Sequence, residues 1–135
     1  MNLVVCVDDK LGMALFGRRQ SRDALLIADL AELAAGEKIY MSPRSALLFE
    51  GSNTNIIPHE DFASLAGEGE YCFAEFISPA SLEEKAEKII LYRWNRRYQA
   101  DLFFDIDLSL WKLESTAELP GSSHELITRE VYTHE

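Results

Sequence analysis

The sequence has few of the features that secreted, membrane-bound or nucleic-acid-binding chains carry. Only two cysteines occur in its 135 residues, Cys6 and Cys72, and they have no CxxC spacing. This excludes a disulfide-stapled scaffold and favours two small buried thiols in a reducing compartment. No apolar run approaches the roughly 18 residues of a membrane span, and residues 1–10 lack the cleavage pattern of a signal peptide. We therefore expect a cytoplasmic protein that has no membrane partner.

Positive charge is also scarce. The sequence has thirteen Lys and Arg residues and twenty-three Asp and Glu residues, which gives a net charge of −10. A surface of that sign repels phosphodiester backbones and anionic lipids, so a nucleic acid polymer is not an expected partner. The sequence His59-Glu60-Asp61 contains metal-ligand residue types, but no second histidine follows at helical spacing. We predict no metal site.

The composition is that of a folded globular chain, with 47% apolar and 27% charged residues. At this length one hydrophobic core is expected, and no linker, repeat or low-complexity stretch interrupts the sequence. We predict a single domain over residues 1–135.

Segments of strand and helix character alternate over residues 1–94. Leu3 to Val7 is a continuous apolar run, typical of a strand buried on both faces. Leu26, Leu30 and Leu33 repeat at helical spacing in a predicted helix over residues 22–35, with Asp23 in its first turn. The other predicted strands cover residues 38–41, 54–57, 71–76 and 88–94; the other predicted helices cover residues 43–49, a segment ending near 65, and a capping-box helix over 81–87.

The pattern changes in the C-terminal third of the chain. Residues 110–119 and 125–133 are two long predicted strands, and Pro120-Gly121-Ser122-Ser123 joins them as the turn of a hairpin. The predicted fold class is therefore α/β: a mostly parallel sheet flanked by helices, with a C-terminal antiparallel hairpin at or near its edge.

Four segments of the chain together resemble the dihydrofolate reductase-like fold family. They match, in the right order, the family's first strand and loop, its G-K-P-V-I-M-G-R-K-T segment, its D-x-I-x-L-T and A-D-T-x-F segments, and its W-x-L-V-S strand. The matching segments are VCVD at 5–8 with Gly12, Met13 and Gly17; GEKIYMSPRS at 36–45; KIIL at 88–91 with QADLFF at 99–104; and LSLWKLES at 108–115.

The resemblance implies that the reductase scaffold is kept and that the hydride-transfer residues are lost. The helix carboxylate that protonates the pterin in the family falls on Leu26, with Asp23 and Asp29 three residues to either side. The glycine pair that lets the cofactor diphosphate approach the backbone falls on about Ala74-Glu75, where a carboxylate repels phosphate. The threonine that orients the catalytic water network falls on Tyr92.

Arginine is concentrated in two segments, which hold six of the eight arginines: Arg18, Arg19 and Arg22, then Arg93, Arg96 and Arg97. The resemblance implies that the two segments converge at one mouth. Because arginine binds carboxylate and phosphate with a planar fork, we predict an anion site built from Arg18, Arg19, Arg22, Arg96 and Arg97, with Trp94 stacking on a ring. The alternative is that these arginines pair with aspartates and hold the loops.

Other side-chain patterns favour no chemistry. His124 and His134 precede glutamates in a turn and near the last residue, so both are predicted to be exposed. Ser21, Ser45 and Ser109 lie outside a G-x-S-x-G setting, so no serine nucleophile is predicted.

Three hypotheses of function follow. The first is a dihydrofolate reductase-like domain that binds a small anionic molecule, nucleotide- or pteridine-like, without standard reductase catalysis. The second is an NADPH-dependent reductase in which Asp23 or Asp29 donates the proton and Arg44 with Ser45 contacts the cofactor phosphate. The third is an acidic module that binds a protein partner or a second copy of itself.

Overall fold

The computed structural model describes all residues, Met1–Glu135. None of the helices combines the length and the hydrophobicity of a membrane-spanning segment. Three short 3-10 helices cover Leu47–Phe49, Pro79–Lys85 and Leu108–Leu110. The remaining elements are β1 (Asn2–Val7), β2 (Gly12–Leu15), β3 (Arg18–Arg19), α1 (Ala24–Ala34), β4 (Lys38–Met41), α2 (Pro43–Ala46), β5 (Asn55–Pro58), α3 (Phe62–Leu65), β6 (Tyr71–Phe73), β7 (Lys88–Arg93), β8 (Leu102–Phe103), β9 (Trp111–Leu119) and β10 (Ile127–His134).

Seven strands form the main sheet, in the order β5-β4-β6-β1-β7-β10-β9. The first five are parallel to their neighbours, and β10 pairs antiparallel with both β7 and β9. The predicted fold class, a mostly parallel sheet with a C-terminal antiparallel hairpin, is confirmed. β1 lies at the centre, as its continuous apolar run indicates, because helices cover a parallel sheet on both faces.

Two hydrophobic cores pack against opposite faces of this sheet. Val4 of β1 points to one face and packs with Leu26 and Leu30 of α1. Leu3 and Val5 of the same strand point to the other face. That second core also receives residues of the Pro79–Lys85 helix, Leu82 among them. The connection after β1 and the connection after β6 therefore run over different faces of the sheet.

Helix α1 begins two residues later than the sequence predicts. Asp23 is its N-cap residue, with an extended backbone and a side chain that accepts from the Leu25 N–H, and it is not part of the first turn. The helix ends where Ala35 adopts a left-handed conformation, and Gly36 follows at φ +87°. The predicted capping box at Ser81 is also wrong: the Ser81 hydroxyl donates back to the Ser78 carbonyl within a 3-10 helix.

A small second sheet, in the order β3-β2-β8, was not predicted. β2 and β3 form a tight hairpin whose tip, Phe16-Gly17, has φ values of +49° and +69°. Asp101 accepts from the Phe16 N–H, and this bond fastens the hairpin to the segment before β8. The hairpin brings Arg19 to the carboxyl end of the main sheet.

Candidate functional site

The topology creates a crevice where β1 and β6 lie side by side. The chain leaves β1 over the α1 face toward β4, and it leaves β6 over the opposite face toward β7. In α/β sheets, ligands bind outside the carboxyl ends of strands at such a change of direction. The structure has a cleft at this point, lined by Cys6 of β1, Leu26 and Ile27 of α1, and Phe73 with Ala74 at the end of β6.

This cleft is closed. The space between its walls, counted together with the part open to solvent, is about 390 Å³, but only about 20 Å³ of it can hold the centre of a water molecule. That space admits about one water molecule. Eight of its 14 lining residues are hydrophobic, and the polar ones include Arg19, Ser21, Arg22 and Glu75.

An ion pair closes the cleft. The Arg19 Nε atom lies 2.5 Å from Glu75 Oε2, and Arg19 Nη2 lies 2.6 Å from Glu75 Oε1. The Ser45 hydroxyl donates to the same Oε1 at 2.7 Å. The Arg19 side chain is 26% exposed and that of Glu75 10%, so the pair is largely shielded from water. The hydrogen bond to Glu75 raises the pKa of Arg19, which keeps the guanidinium charged.

Asp23 forms the second polar feature of the cleft. Asp23 is only 2% exposed. Its Oδ1 atom accepts hydrogen bonds from the Leu25 N–H and from both the N–H and the hydroxyl of Ser122. Its Oδ2 accepts from the N–H groups of Ser123 and His124 and contacts His124 Nδ1. Burial acts to raise the pKa of Asp23, but the bonds from Ser122, His124 and their neighbours outweigh it and hold this pKa well below its usual range.

His124 is buried, and the prediction that it is exposed is wrong. The residue is 4% exposed, and its Nδ1 lies 3.0 Å from Asp23 Oδ2. Its Nε2 lies 3.0 Å from both the Ser21 hydroxyl and the Tyr98 hydroxyl. The Trp94 ring stacks on the imidazole at 4.6 Å between centroids. We call Asp23, His124, Ser21 and Tyr98 the clasp, because they tie the β9–β10 turn to the start of α1.

The two arginine segments lie next to each other, but not all of their side chains reach the cleft. Gln20 donates to the Gln99 carbonyl at 3.4 Å, which joins the segments. Arg22 lines the cleft, and Arg18 lines a shallow neighbouring depression. Arg96 and Arg97 are exposed, make no ion pair, and line neither the cleft nor this depression.

Some predicted residues serve the body of the sheet. Arg93 pairs with Glu130 across β7 and β10. Asp29 accepts from the Tyr92 hydroxyl at 2.6 Å and pairs with Arg129, outside the cleft. Arg129 was not singled out in the sequence, because its partner is 100 residues away. No cluster of three His, Cys, Asp or Glu residues could hold a metal ion.

The sheet order and the cleft define an α/β protein of dihydrofolate reductase-like fold. A solved structure that it resembles is the dihydrofolate reductase from Enterococcus faecalis complexed with NADP(H) and RAB-propyl. The two share a TM-score of 0.66 and 14% sequence identity, over 99% of this chain and 95% of the other. At that identity the likeness shows the fold. No family model matches the sequence, and no curated protein matches it.

The residues at the predicted cofactor-phosphate site do not fit a dinucleotide diphosphate. Arg44 lies over the Phe76 ring at 3.9 Å, and the Ser45 hydroxyl is bonded to Glu75. The cavity that Arg44 and Ser45 line also contains Glu60 and Glu75. A diphosphate in this cavity would share it with two carboxylates, those of Glu60 and Glu75, which repel it.

Proposed function

We propose that the protein binds a small anionic organic molecule in the cleft, and that Arg19 exchanges Glu75 for a carboxylate or phosphate of that ligand. The observation that carries this proposal is the bidentate Arg19–Glu75 pair, which closes an otherwise largely apolar cavity. Ligand sites are typically apolar clefts with a few placed polar groups, and the fork of arginine matches carboxylate and phosphate.

Glu75 acts as a built-in substitute for the ligand anion. A buried guanidinium without a partner is costly, so the empty cleft needs a carboxylate at this point. A ligand anion that takes the place of Glu75 leaves Arg19 equally well paired, and the apolar part of the ligand gains contact with Leu26 and Phe73. Nucleotide- or pteridine-like molecules combine an anionic group with a planar ring of this kind.

The β2–β3 hairpin is the element that opens the cleft. It carries Arg19 at one end, and its tip is solvent-exposed, with Phe16 80% exposed. Lifting the hairpin separates Arg19 from Glu75 and leaves the main sheet intact. Opening costs the Arg19–Glu75 ion pair, the pairing of β2 with β8 and the bond from the Phe16 N–H to Asp101.

The reductase alternative has less support. Asp23 accepts hydrogen bonds on both oxygens and has a lowered pKa, so it is a poor proton donor near neutral pH. Asp29 is paired with Arg129 and does not line the cleft. Together with the misfit at Glu75, these placements favour binding over hydride transfer.

Three variants test the proposal by thermal shift against a panel of AMP, dihydrofolate, NADPH and phosphosugars. A bound ligand stabilises the fold by about 2.7 kcal/mol at a hundredfold excess over its dissociation constant. Glu75→Gln removes the competing charge, so it should bind the active ligand more tightly than the unmodified protein does. Arg19→Gln removes the guanidinium that binds the anion, so the ligand should no longer raise the melting temperature of this variant.

The matched control is Arg93→Gln, which breaks an equivalent arginine–glutamate pair on the sheet, away from the cleft. It should leave the ligand shift unchanged. If Glu75→Gln and Arg93→Gln behave alike toward every compound of the panel, the exchange at Arg19 does not occur.

A further inference from the structure

The clasp contains a serine, a histidine and a carboxylate in the geometry of a nucleophile, a base and an orienting group. The Ser21 Oγ atom lies 3.0 Å from His124 Nε2, and His124 Nδ1 lies 3.0 Å from Asp23 Oδ2. We propose that Ser21 is a nucleophile toward small carboxylic esters, with His124 as its general base. The three residues come from the loop before α1 and from the β9–β10 turn.

The hydrogen bonds set the tautomer of His124. The ionised Asp23 carboxylate only accepts, so His124 Nδ1 carries the proton of that bond. Nε2 of the neutral ring then holds a lone pair, and two hydroxyls, those of Ser21 and Tyr98, face it. This is the arrangement in which a ring nitrogen withdraws a serine proton. Stacking on Trp94 holds the ring in this orientation.

Ser21 also faces the cleft, unlike a hydroxyl that serves only to fill a buried network. Ser21 and Arg22 both line the cavity. The backbone N–H groups of Ser21 and Arg22 donate to no acceptor in the protein, and the Arg22 side chain makes no ion pair. Unpaired donors next to a nucleophile are the groups that stabilise the oxyanion of an acyl-transfer transition state.

The reaction needs only the ester and water. The Ser21 oxygen attacks the carbonyl carbon while its proton passes to His124 Nε2, and Asp23 stays ionised. The tetrahedral intermediate collapses when the bond from the carbonyl carbon to the alkoxy oxygen breaks, and that oxygen takes the proton from Nε2. A water molecule then attacks the acyl-serine by the same proton route, which releases the carboxylic acid and restores the Ser21 hydroxyl.

The substrate class rests on the proposed function, because Ser21 and Arg19 line the same cleft. We assign it as a small ester that carries a second, anionic group for Arg19. The acylation step itself needs no such group. A neutral ester therefore tests the nucleophile separately from the anion site.

The experiment uses p-nitrophenyl acetate with the whole chain. The expected result is release of p-nitrophenolate together with one acetyl group located on Ser21 by peptide mass spectrometry. Ser21→Ala should lose both signals, and His124→Gln should slow acylation by about 10²–10⁴-fold. Ser109→Ala is the matched control, since the Ser109 hydroxyl is bonded to Asp107 with no histidine; its rate should equal that of the unmodified protein.

Tyr98→Phe separates a nucleophilic role from a structural one. The Tyr98 hydroxyl competes with Ser21 for His124 Nε2, so its removal should speed acylation, whereas a purely structural network would show no acylation in any variant. Acetyl groups found elsewhere than Ser21, or an equal rate in Ser21→Ala, overturn the proposal. Acetylation is measured on Ser21 directly with a neutral ester, so loss of the thermal shift in Arg19→Gln counts against the anion site and not against Ser21.

Discussion

Replacing Asp23 with alanine tests the idea that one buried carboxylate holds the clasp together. The substitution removes the N-cap of α1 and the acceptor of the β9–β10 turn at the same time. The donors that lose their partner include the His124 N–H and imidazole, which are buried, and the N–H groups of Ser122 and Ser123, which are near solvent.

The magnitude follows from these partners. Loss of an N-cap costs about 1 kcal/mol, and each buried donor left without an acceptor costs about 1–3 kcal/mol. The N–H groups of Ser122 and Ser123 can form hydrogen bonds to water instead, so their loss of Asp23 adds little to the destabilisation. The cap and the two buried donors of His124 together give an expected loss of about 3–7 kcal/mol. Since urea slopes are about 1–3 kcal/mol per molar, the midpoint should fall by about 2 M.

Urea unfolding at pH 7 measures this loss, and Asp9→Ala is the control. Asp9 is exposed and its side chain makes no hydrogen bond or ion pair, so the same charge change there should cost less than about 0.5 kcal/mol. If Asp23→Ala is destabilised no more than Asp9→Ala, the carboxylate does not hold the clasp.

The pH dependence gives an independent check. The folded pKa of Asp23 lies below its unfolded value of about 3.9, so its stabilisation is fully present above that value. The stabilisation is lost as the pH falls through the folded pKa. The difference in stability between the unmodified protein and Asp23→Ala should therefore be constant above about pH 5 and shrink below about pH 4. A difference that grows on acidification would refute the assignment.

Further expectations concern packing around the same region and the second core. Burial raises the pKa of the Cys72 thiol to about 12, so iodoacetamide at pH 8 should modify it only in denaturant. Gly121→Ala should destabilise by about 1–3 kcal/mol in urea, because a Cβ atom there would lie 2.5 Å from the Asp23 carboxylate. Trp94→Ala should lose about 3–5 kcal/mol, since the ring is 4% exposed.

The sequence predicted the main sheet because its signals are local. The apolar run of β1 and the leucine spacing of α1 each lie within a short window, and burial on one or both faces is what they encode. The hairpin of β9 and β10 was predicted for the same reason. The order of the strands in the sheet was not predicted, because the pairing of strands that are distant in the sequence leaves no local signal.

The small sheet could not be predicted from such windows. β3 and β8 have two residues each, too few for an alternation to show. The left-handed backbone at Phe16 has no local signal, since aromatic residues rarely adopt it. The position of Arg19 over the cleft depends on this hairpin, so the Arg19–Glu75 ion pair could not be predicted from the sequence either.

The clasp and the Arg19–Glu75 ion pair depend on contacts between distant parts of the chain. Arg19 and Glu75 are 56 residues apart, and Asp23 and His124 are 101 residues apart. From the sequence, Arg19 is predicted in an anion site, with pairing to aspartates as the alternative, and Asp23 in the first turn of a helix as a candidate proton donor. Neither Glu75 as the partner of Arg19 nor His124 as the partner of Asp23 is predicted from the sequence. Nothing in the sequence around His124, which follows a Pro-Gly turn, indicates that the residue is buried against a carboxylate.

The overall charge sets how a ligand can reach this cleft. A net charge of −10 repels an anion at long range, whereas Arg19 attracts it only after Glu75 has been displaced. At 0.1 M salt the screening length is about 10 Å, so added salt weakens the long-range repulsion. It weakens the Arg19–Glu75 attraction much less, because that pair is shielded from water. Association with a dianionic ligand should therefore accelerate as salt rises from low concentration, the opposite of what a positively charged mouth would produce. A stopped-flow rate that falls steadily with salt would mean that Arg18, Arg22, Arg96 and Arg97 steer the ligand after all.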